Sequence, residues 1–465
     1  MNGHRQRRAA AALLLCAAAS VAAAEGQVGR AAGADAGAAV AVAVPGAGAG
    51  AGAGADAAAS AATDAAGRGP GGELRLVGTG RSASPHGPLA AANRLQPGIA
   101  PPAGDSAQTE AELRHTLHWK VLGLPLALAA NALVQATAAE SEASRADARF
   151  NELHLSADLG AWQASAGRKV LGWDVGYGFR PNDVVQQETR RALFARTPEG
   201  RPVVMLEQFG AEHALALVWA NPQRWNDAAE RSRAAGESAW ALRGYQRFGA
   251  LDAHGFARHG RHTGASLGAA LAWVATDELE LHASGRRLER HDGWAIASGA
   301  GDALQATNPW RQALRGAATQ WLVGANWTGL AQQSLMVEVW HDGTALADDE
   351  WDAWRRRNAA LAASPAPATA AAGNLAWQAT PFDAPNLRRD NLFVRLAWSP
   401  ERWQWTFDTL FAPADRGRMH TAGLQWQGER WRLNVAWRVN GGPAESLFAQ
   451  LPTRRSLLLA AVRAF

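Results

Sequence analysis

The chain has 465 residues and a formal net charge of +4, from 46 Lys and Arg against 42 Asp and Glu. A charge this close to zero gives no electrostatic reason to expect a nucleic acid as a partner. The only cysteine is Cys16, so no disulfide can form within one chain.

Residues 1–24 have the three parts of a secretory signal peptide. Three arginines in residues 5–8 precede an apolar stretch, and three alanines at 22–24 form the small-residue cleavage site. The stretch is too short for a membrane helix, and no run of about 18 uninterrupted apolar residues follows it. We therefore predict export by the Sec route, which would remove Cys16 and lower the net charge to about +1.

Residues 25–72 consist mostly of Ala and Gly, with an unbroken Gly-Ala alternation over 46–55. Such a segment has too few large side chains to build a core. We predict a disordered periplasmic tail here. TonB-dependent receptors carry a folded plug in the equivalent region, and this composition predicts none.

From residue 73 onward, segments of about ten residues alternate between apolar and polar side chains. In 431–440 the odd positions hold Trp, Leu, Val, Trp and Val, and the even positions hold Arg, Asn, Ala, Arg and Asn. Successive side chains of a strand point to opposite faces, so this pattern predicts strands with one face in lipid and the other in water. The predicted strands are 73–80, 112–122, 124–136, 149–159, 161–171, 202–210, 212–220, 237–247, 250–259, 264–275, 278–290, 316–328, 333–342, 390–399, 402–411, 418–427, 430–439 and 456–465.

Long and short connections alternate between these strands. Short turns on one side and long loops on the other are typical of bacterial outer-membrane barrels, whose termini lie on the periplasmic side. The predicted fold is therefore all-β, a transmembrane antiparallel up-and-down β-barrel of about 18 strands over residues 73–465, with 16 strands as the alternative and no N-terminal plug.

The aromatic residues give a second indication, because the chain has 21 Trp against 2 Tyr. Several tryptophans fall at strand ends beside the short turns, which predicts a belt at the membrane interface. The terminal Phe465 resembles the signal by which the barrel-assembly machinery recognises outer-membrane barrels, although Arg463 stands where that signal usually has an apolar residue or a tyrosine. The predicted belt consists of Trp162, Trp273, Trp327, Trp398, Trp403, Trp426 and Trp431.

A barrel of 16–18 strands encloses a water-filled lumen unless something plugs it. The side chains predicted to line it carry both signs of charge. These residues either form a hydrated lining without a specific role, or some of them form a specific solute site. The lining residues are Arg114, Lys120, Glu152, His154, Asp158, Glu280, His282, Arg286, Glu338, Arg395, Asp408, Arg432 and Arg438.

The third long loop, 172–201, is the richest in glycine and paired charges. Its G-R-x-x-x-x-W-D-x-G-x-x-F-x-P-x-D run resembles a segment of porin-like and alginate-export-like barrels of Gram-negative bacteria. General diffusion porins fold their third extracellular loop into the barrel, so the resemblance implies that this loop forms the constriction. Its candidate constriction or solute-binding residues are Arg168, Asp174, Asp183, Arg190 and Arg191. Alternatively, Arg168, Asp174 and Asp183 only pin the loop to the wall.

These features predict a channel for passive or weakly selective diffusion of small hydrophilic solutes, embedded in outer-membrane lipid and able to form a homo-oligomer. No cofactor is implied. A barrel for export or assembly of an exopolysaccharide-like polymer is the first alternative, and a continuous arginine-rich track through the lumen would favour it. A surface binding or adhesion barrel is the second, with the long 343–389 loop, whose Ala/Pro run is expected to be flexible, as its binding surface.

Enzyme and metal functions are not predicted. The pairs His154/Ser156 and His282/Ser284 lie on the lumen side of predicted strands, where a hydrated polar pair needs no catalytic role. His254, His259 and His262 have no cysteine or acidic cluster at ligand spacing.

Overall fold

The computed structural model describes residues 71–100, 104–140, 143–186, 198–221, 236–297 and 304–465. The predicted signal peptide and all but the last two residues of the predicted tail lie outside these ranges. Gly71 and Gly72 are already part of the first strand.

Eighteen strands form one closed antiparallel sheet in which each strand pairs with its neighbours in the sequence. The predicted fold is confirmed, and the count excludes the alternative of 16. The strands of the barrel are β1 (Gly71–Ala83), β2 (Ser106–Val121), β3 (Leu124–Ala139), β4 (Arg145–Asp158), β5 (Trp162–Lys169), β6 (Arg201–Phe209), β7 (His213–Ala220), β8 (Ala239–Phe248), β9 (Leu251–Gly260), β10 (Gly264–Val274), β11 (Leu279–Leu288), β14 (Ala318–Thr328), β15 (Gln333–Asp342), β16 (Asp390–Trp398), β17 (Trp403–Ala412), β18 (Gly417–Gln427), β19 (Trp431–Gly441) and β20 (Thr453–Ala464), while β12 (His291–Ile296) and β13 (Trp310–Arg315) form a separate hairpin.

The barrel closes where β1 pairs with β20, from Glu73 opposite Ala464 to Ala83 opposite Thr453. Gly72 and Phe465 complete this seam, because each backbone N–H donates to the other residue's carbonyl at 3.0 Å. A Cβ atom at position 72 would lie 2.5 Å from the Phe465 ring. Glycine therefore allows the terminal aromatic ring to lie directly over the seam.

The exposed face of the sheet is apolar and the buried face is polar, which is the reverse of a soluble protein. On β19, Trp431 and Trp437 are 45% and 51% exposed, whereas the wall's inward carboxylates Glu112 and Glu338 are 1% and 0% exposed. A soluble sandwich would bury its apolar face. Apolar side chains turned outward all round a closed sheet are the arrangement that lipid requires.

The two ends of the barrel differ. At one end, here called the turn end, connections of two to four residues join the strands, and both Gly71 and Phe465 lie there. At the other, here called the loop end, most of the connections are long, as predicted. The predicted start of β2 at 112 is six residues late, since this strand begins at Ser106.

The loop end carries more regular structure than the sequence predicted. The expected flexibility of the Ala/Pro run in the 343–389 loop is wrong for most of that run, because it belongs largely to two packed helices in which Leu361, Ala372 and Leu375 are buried. No helix of the described residues is long and apolar enough to cross a membrane. The helices are α1 (Gly87–Leu95), α2 (Asp348–Ala362), α3 (Ala368–Trp377), a 3-10 turn (Thr380–Asp383) and α4 (Leu447–Gln450).

Because β19 presents alternate residues to lipid and lumen, a charge should be tolerated on one face only. Val435→Arg, near the middle of the outward face, should lower the free energy of unfolding by about 2–4 kcal/mol. Asn434→Arg, the adjacent residue on the inward face, is the matched control and should cost far less. Urea unfolding in lipid vesicles measures both, and equal losses would contradict the assignment of the faces.

Candidate functional site

The segment 170–186 leaves β5 at the loop end and runs inside the barrel. Its apolar side chains pack on the inner wall, where Leu171, Trp173 and Val184 join one buried cluster with side chains of β6, β7, β8, β9 and β10. The inward-facing side chains of these strands that pack against the segment are apolar, which explains why the segment packs there rather than in water. Their members of the cluster are Val203, Met205, Ala216, Val218, Ala220, Ala241, Phe256 and Ala270.

The tip of the segment reaches the wall beyond β11. Backbone N–H groups of Tyr177 and Gly178 donate to the two carboxylate oxygens of Glu338 on β15, at 2.7 and 2.6 Å. His282 of β11 also contacts Glu338, with Nε2 2.9 Å from Oε1. The Tyr177 hydroxyl lies 2.6 Å from a guanidinium nitrogen of Arg395 on β16. The tip therefore spans from the base of the loop to β15 and β16.

Asp174 and Asp183 hold the segment's own backbone. Asp183 Oδ1 accepts from the N–H groups of Trp173 and Asp174, at 2.8 and 3.1 Å. Asp174 accepts from the Asn182 N–H at 2.5 Å and from the Ser284 hydroxyl of β11 at 2.7 Å. Both carboxylates are thus committed to the fold of the loop and its attachment to the wall.

Burial changes the titration of both groups. Removal from water raises the pKa of Asp183 from its ordinary value of 3.8 to about 6, although Arg180 and two backbone N–H groups oppose the shift. Burial raises the pKa of Asp174 as well, against the hydrogen bonds from Asn182 and Ser284. The charged forms are therefore disfavoured by the position that the loop adopts.

Arg168, one of the candidate constriction residues, lies near the end of β5 rather than in the segment that crosses the lumen. It pairs in register with Leu153, which faces outward, and it follows Gly167, whose φ is +132°. Its guanidinium contacts the Glu199 carboxylate and, at 3.5 Å, the Gly200 carbonyl. It therefore joins the two ends of the loop at the rim. The alternative that Arg168, Asp174 and Asp183 only pin the loop to the wall requires contacts of this kind. Arg190 and Arg191 lie outside the described residues.

All thirteen predicted lining residues fall at inward-facing positions of the strands. Several are paired with a neighbouring opposite charge, as in Arg395 with Asp408 of the adjacent strand at 3.3 Å and Arg114 with Glu112 of the same strand at 2.8 Å. The wall is therefore of mixed charge.

Three further buried charges of the wall, on β1 and β2, were not among the predicted lining residues. Arg75, Glu110 and Glu112 are 4%, 2% and 1% exposed, and the Arg75 guanidinium contacts both carboxylates and that of Glu73. Arg75 and Glu112 lie within the predicted strands 73–80 and 112–122, so alternation could have identified them as inward-facing. Glu110 was missed because the predicted strand began at residue 112.

The seven tryptophans of the predicted belt lie at the turn end. Six of them are between 41% and 49% exposed, and Trp426, which is half-buried, lies opposite Trp403 in the register of β17 and β18. The Arg463 guanidinium lies over the Trp431 ring, 5.8 Å from its centroid. An arginine at this position of β20 is thus accommodated by a cation–π contact.

The histidines that were weighed as catalytic or metal-binding residues do not lie together in one site. The Ser284 hydroxyl bonds Asp174 while His282 bonds Glu338. His254 faces inward, whereas His259 pairs with the outward-facing Trp240. No group of three metal-ligating side chains occurs in the part of the chain that the structure describes.

Comparisons with known proteins support the fold. No protein-family model and no curated protein matches the chain. The solved structure of OccAB1 from Acinetobacter baumannii is similar at 11% sequence identity, with a TM-score of 0.51 over 86% of this chain and 98% of that one. OccK8 (OprE) from Pseudomonas aeruginosa is similar at 7% identity, with a TM-score of 0.50 over 85% of this chain and 97% of that one. At such identities the likeness is one of fold alone.

The Glu338 carboxylate should be required to keep the loop tip attached to the barrel wall. Glu338→Ala removes both acceptors of the Tyr177 and Gly178 amides, and hydrogen bonds to a charged group contribute about 1.5–3 kcal/mol each. We expect faster hydrogen exchange at 176–179 and little change at 171–174, which apolar packing holds. Glu338→Gln retains one acceptor and should give an intermediate rate, and unchanged exchange in both variants would contradict this attachment.

The raised pKa of Asp183 predicts a pH dependence for the docked loop. A carboxyl group whose pKa is higher when the loop is docked binds its proton more tightly in that state, so docking should strengthen as the pH falls from about 6 towards 4 and weaken as it rises. Hydrogen exchange of 171–184, corrected for the intrinsic effect of pH, should be slower at pH 5 than at pH 7.5. Asp183→Asn should reduce the difference, and an opposite trend in the unsubstituted protein would refute the prediction.

Proposed function

We propose that the chain is an outer-membrane channel through which small hydrophilic solutes diffuse, with the segment 170–186 narrowing its lumen. The observation that carries the proposal is the path of this segment, which crosses the interior from β5 to the Glu338 carboxylate on β15. A loop that divides the cross-section of a wide barrel leaves a narrower passage beside it. The shared fold with OccAB1 supports the same conclusion.

The orientation follows from the asymmetry of the barrel. We place the turn end and both termini in the periplasm and the loop end outside the cell, as in bacterial barrels with short turns and long loops. The tryptophans of the turn end then form the inner interfacial belt. Phe465 at the seam is the feature offered to the barrel-assembly machinery, and outer-membrane lipid covers the apolar face.

The mixed charge of the wall favours diffusion over polymer export. Export of an acidic polymer would call for a continuous positive track, whereas Arg75, Arg114 and Arg395 each contact a carboxylate. Opposite charges in direct contact largely cancel each other, so these arginines do not form a continuous positive track. We propose a weakly selective lumen whose lining residues are hydrated rather than built into one solute site.

An adhesion function has less support, because the 343–389 loop turns its large side chains inward. Trp351 and Trp354 are 0% and 2% exposed and pack with Phe382 beneath the surface. Their burial leaves no aromatic patch from this loop for a partner at the cell surface.

Single-channel recording of the refolded protein in planar bilayers tests the proposal. We expect stepwise currents, and an increase in unit conductance for Glu338→Ala combined with Arg395→Ala, since both substitutions release the loop tip. Gln404→Ala is the matched control, because this inward-facing residue bonds Ser399 rather than the loop. A folded but silent barrel would overturn the channel function, and equal conductance in all variants would overturn the narrowing by the loop.

A further inference from the structure

Three exposed arginines lie at the loop end of β18 and β20. Arg418 opens β18, and Arg454 and Arg455 open β20. We call these three residues the arginine rim. None of them makes a hydrogen bond or an ion pair with any residue that the structure describes.

The register of the sheet turns Arg418 and Arg455 towards the lipid rather than the lumen, and Arg454 is the extra residue of a bulge beside Arg455. Arg455 pairs with Val439 and precedes the level at which Leu457 pairs with Trp437, two side chains that are 46% and 51% exposed. Arg418 pairs with Phe411 on the same outward face. Strands are about 4.8 Å apart, so Arg418 and Arg455 are separated laterally by about 10 Å.

Two acidic groups of the adjoining loops are occupied elsewhere, and the exposed Glu445, in the loop before β20, forms no ion pair with the arginine rim. Asp415 lies between Arg388, at 3.1 Å, and the backbone N–H of Leu447, at 3.0 Å. Asp105 accepts from the Arg81 N–H at 2.8 Å. The arginine rim therefore presents uncompensated positive charge directly above an apolar surface.

This arrangement points to a particular kind of partner. A charge on the lipid face costs little only near the interface, where it can reach a headgroup. The arginine guanidinium binds phosphate through two parallel hydrogen bonds and is weakly hydrated. We propose that the arginine rim binds a phosphorylated lipid of the outer leaflet, with its phosphate on the arginines and its acyl chains against Trp437 and Leu457. The leaflet rests on the orientation proposed above.

Native mass spectrometry of the full-length mature barrel in detergent measures this binding directly. The probes are dilauroyl phosphatidic acid, dilauroyl phosphatidylcholine and inorganic phosphate. We expect phosphatidic acid to bind preferentially, and the triple variant Arg418→Gln, Arg454→Gln and Arg455→Gln to lose on the order of a hundredfold in affinity, since an arginine near an anionic surface contributes about fivefold. Arg287→Gln is the matched control, because Arg287 also faces outward at the loop end but bonds Thr319 at 2.7 Å.

The proposal is overturned if the triple variant retains the preference for phosphatidic acid, if Arg287→Gln loses it equally, or if inorganic phosphate binds as tightly as the lipid. Should the triple variant fail to fold, the single variant Arg455→Gln is expected to lose about fivefold, and no loss would overturn the proposal. Channel currents of the triple variant should be unchanged. A silent unsubstituted barrel that still binds the lipid would therefore contradict the channel and leave the lipid site standing.

Discussion

The structure depends on the requirement that every backbone N–H and C=O within lipid be paired inside the protein. A sheet satisfies this requirement only when it has no edges, which is what the pairing of β1 with β20 achieves. Closure of an antiparallel sheet by sequential pairing needs an even number of strands, so the first strand begins on the side where the last strand ends. The bonds between Gly72 and Phe465 complete this closure at the turn end. The inverted faces follow, because the outer face meets hydrocarbon and the inner face is left for water, loops and charge.

The barrel could be predicted in detail because period-two alternation and short turns are local properties of the sequence. What could not be predicted is what fills the loop end. Trp351, Trp354 and Leu375 are buried in clusters with residues far away in the chain, such as Leu410 of β17 and Ala92 of α1, and no local pattern records those contacts. An Ala/Pro-rich sequence therefore suggested a flexible loop where tertiary packing stabilises two helices.

Part of the candidate site could likewise be predicted from local patterns, and part of it could not. The inward positions of Glu338, His282 and Arg395 follow from strand parity, so they could be predicted, but their common contact with the 170–186 segment depends on where that loop folds. Parity also fails where a strand is irregular. The register of β4 shifts opposite Asn131, so Phe150 and Leu153 are both exposed although they are three positions apart. The segment 172–201 was singled out by its resemblance, and Arg168 lies at the rim of this loop, where it contacts Glu199.

The loop segment is held by two kinds of contact that respond differently to water. Its base is attached through Leu171, Trp173 and Val184, whose burial contributes about 1.5–3 kcal/mol for a large apolar side chain and has no substitute when the segment leaves the wall. Its tip is attached through hydrogen bonds to Glu338 and Arg395. The tip also makes ring contacts, since Tyr177 stacks on Phe393 and Phe179 stacks on Trp340. Water can replace the hydrogen bonds, so their net contribution is smaller than their geometry suggests, whereas the ring contacts have no such substitute. Loss of the hydrogen bonds alone should therefore loosen the tip without moving the base of the segment from the barrel wall.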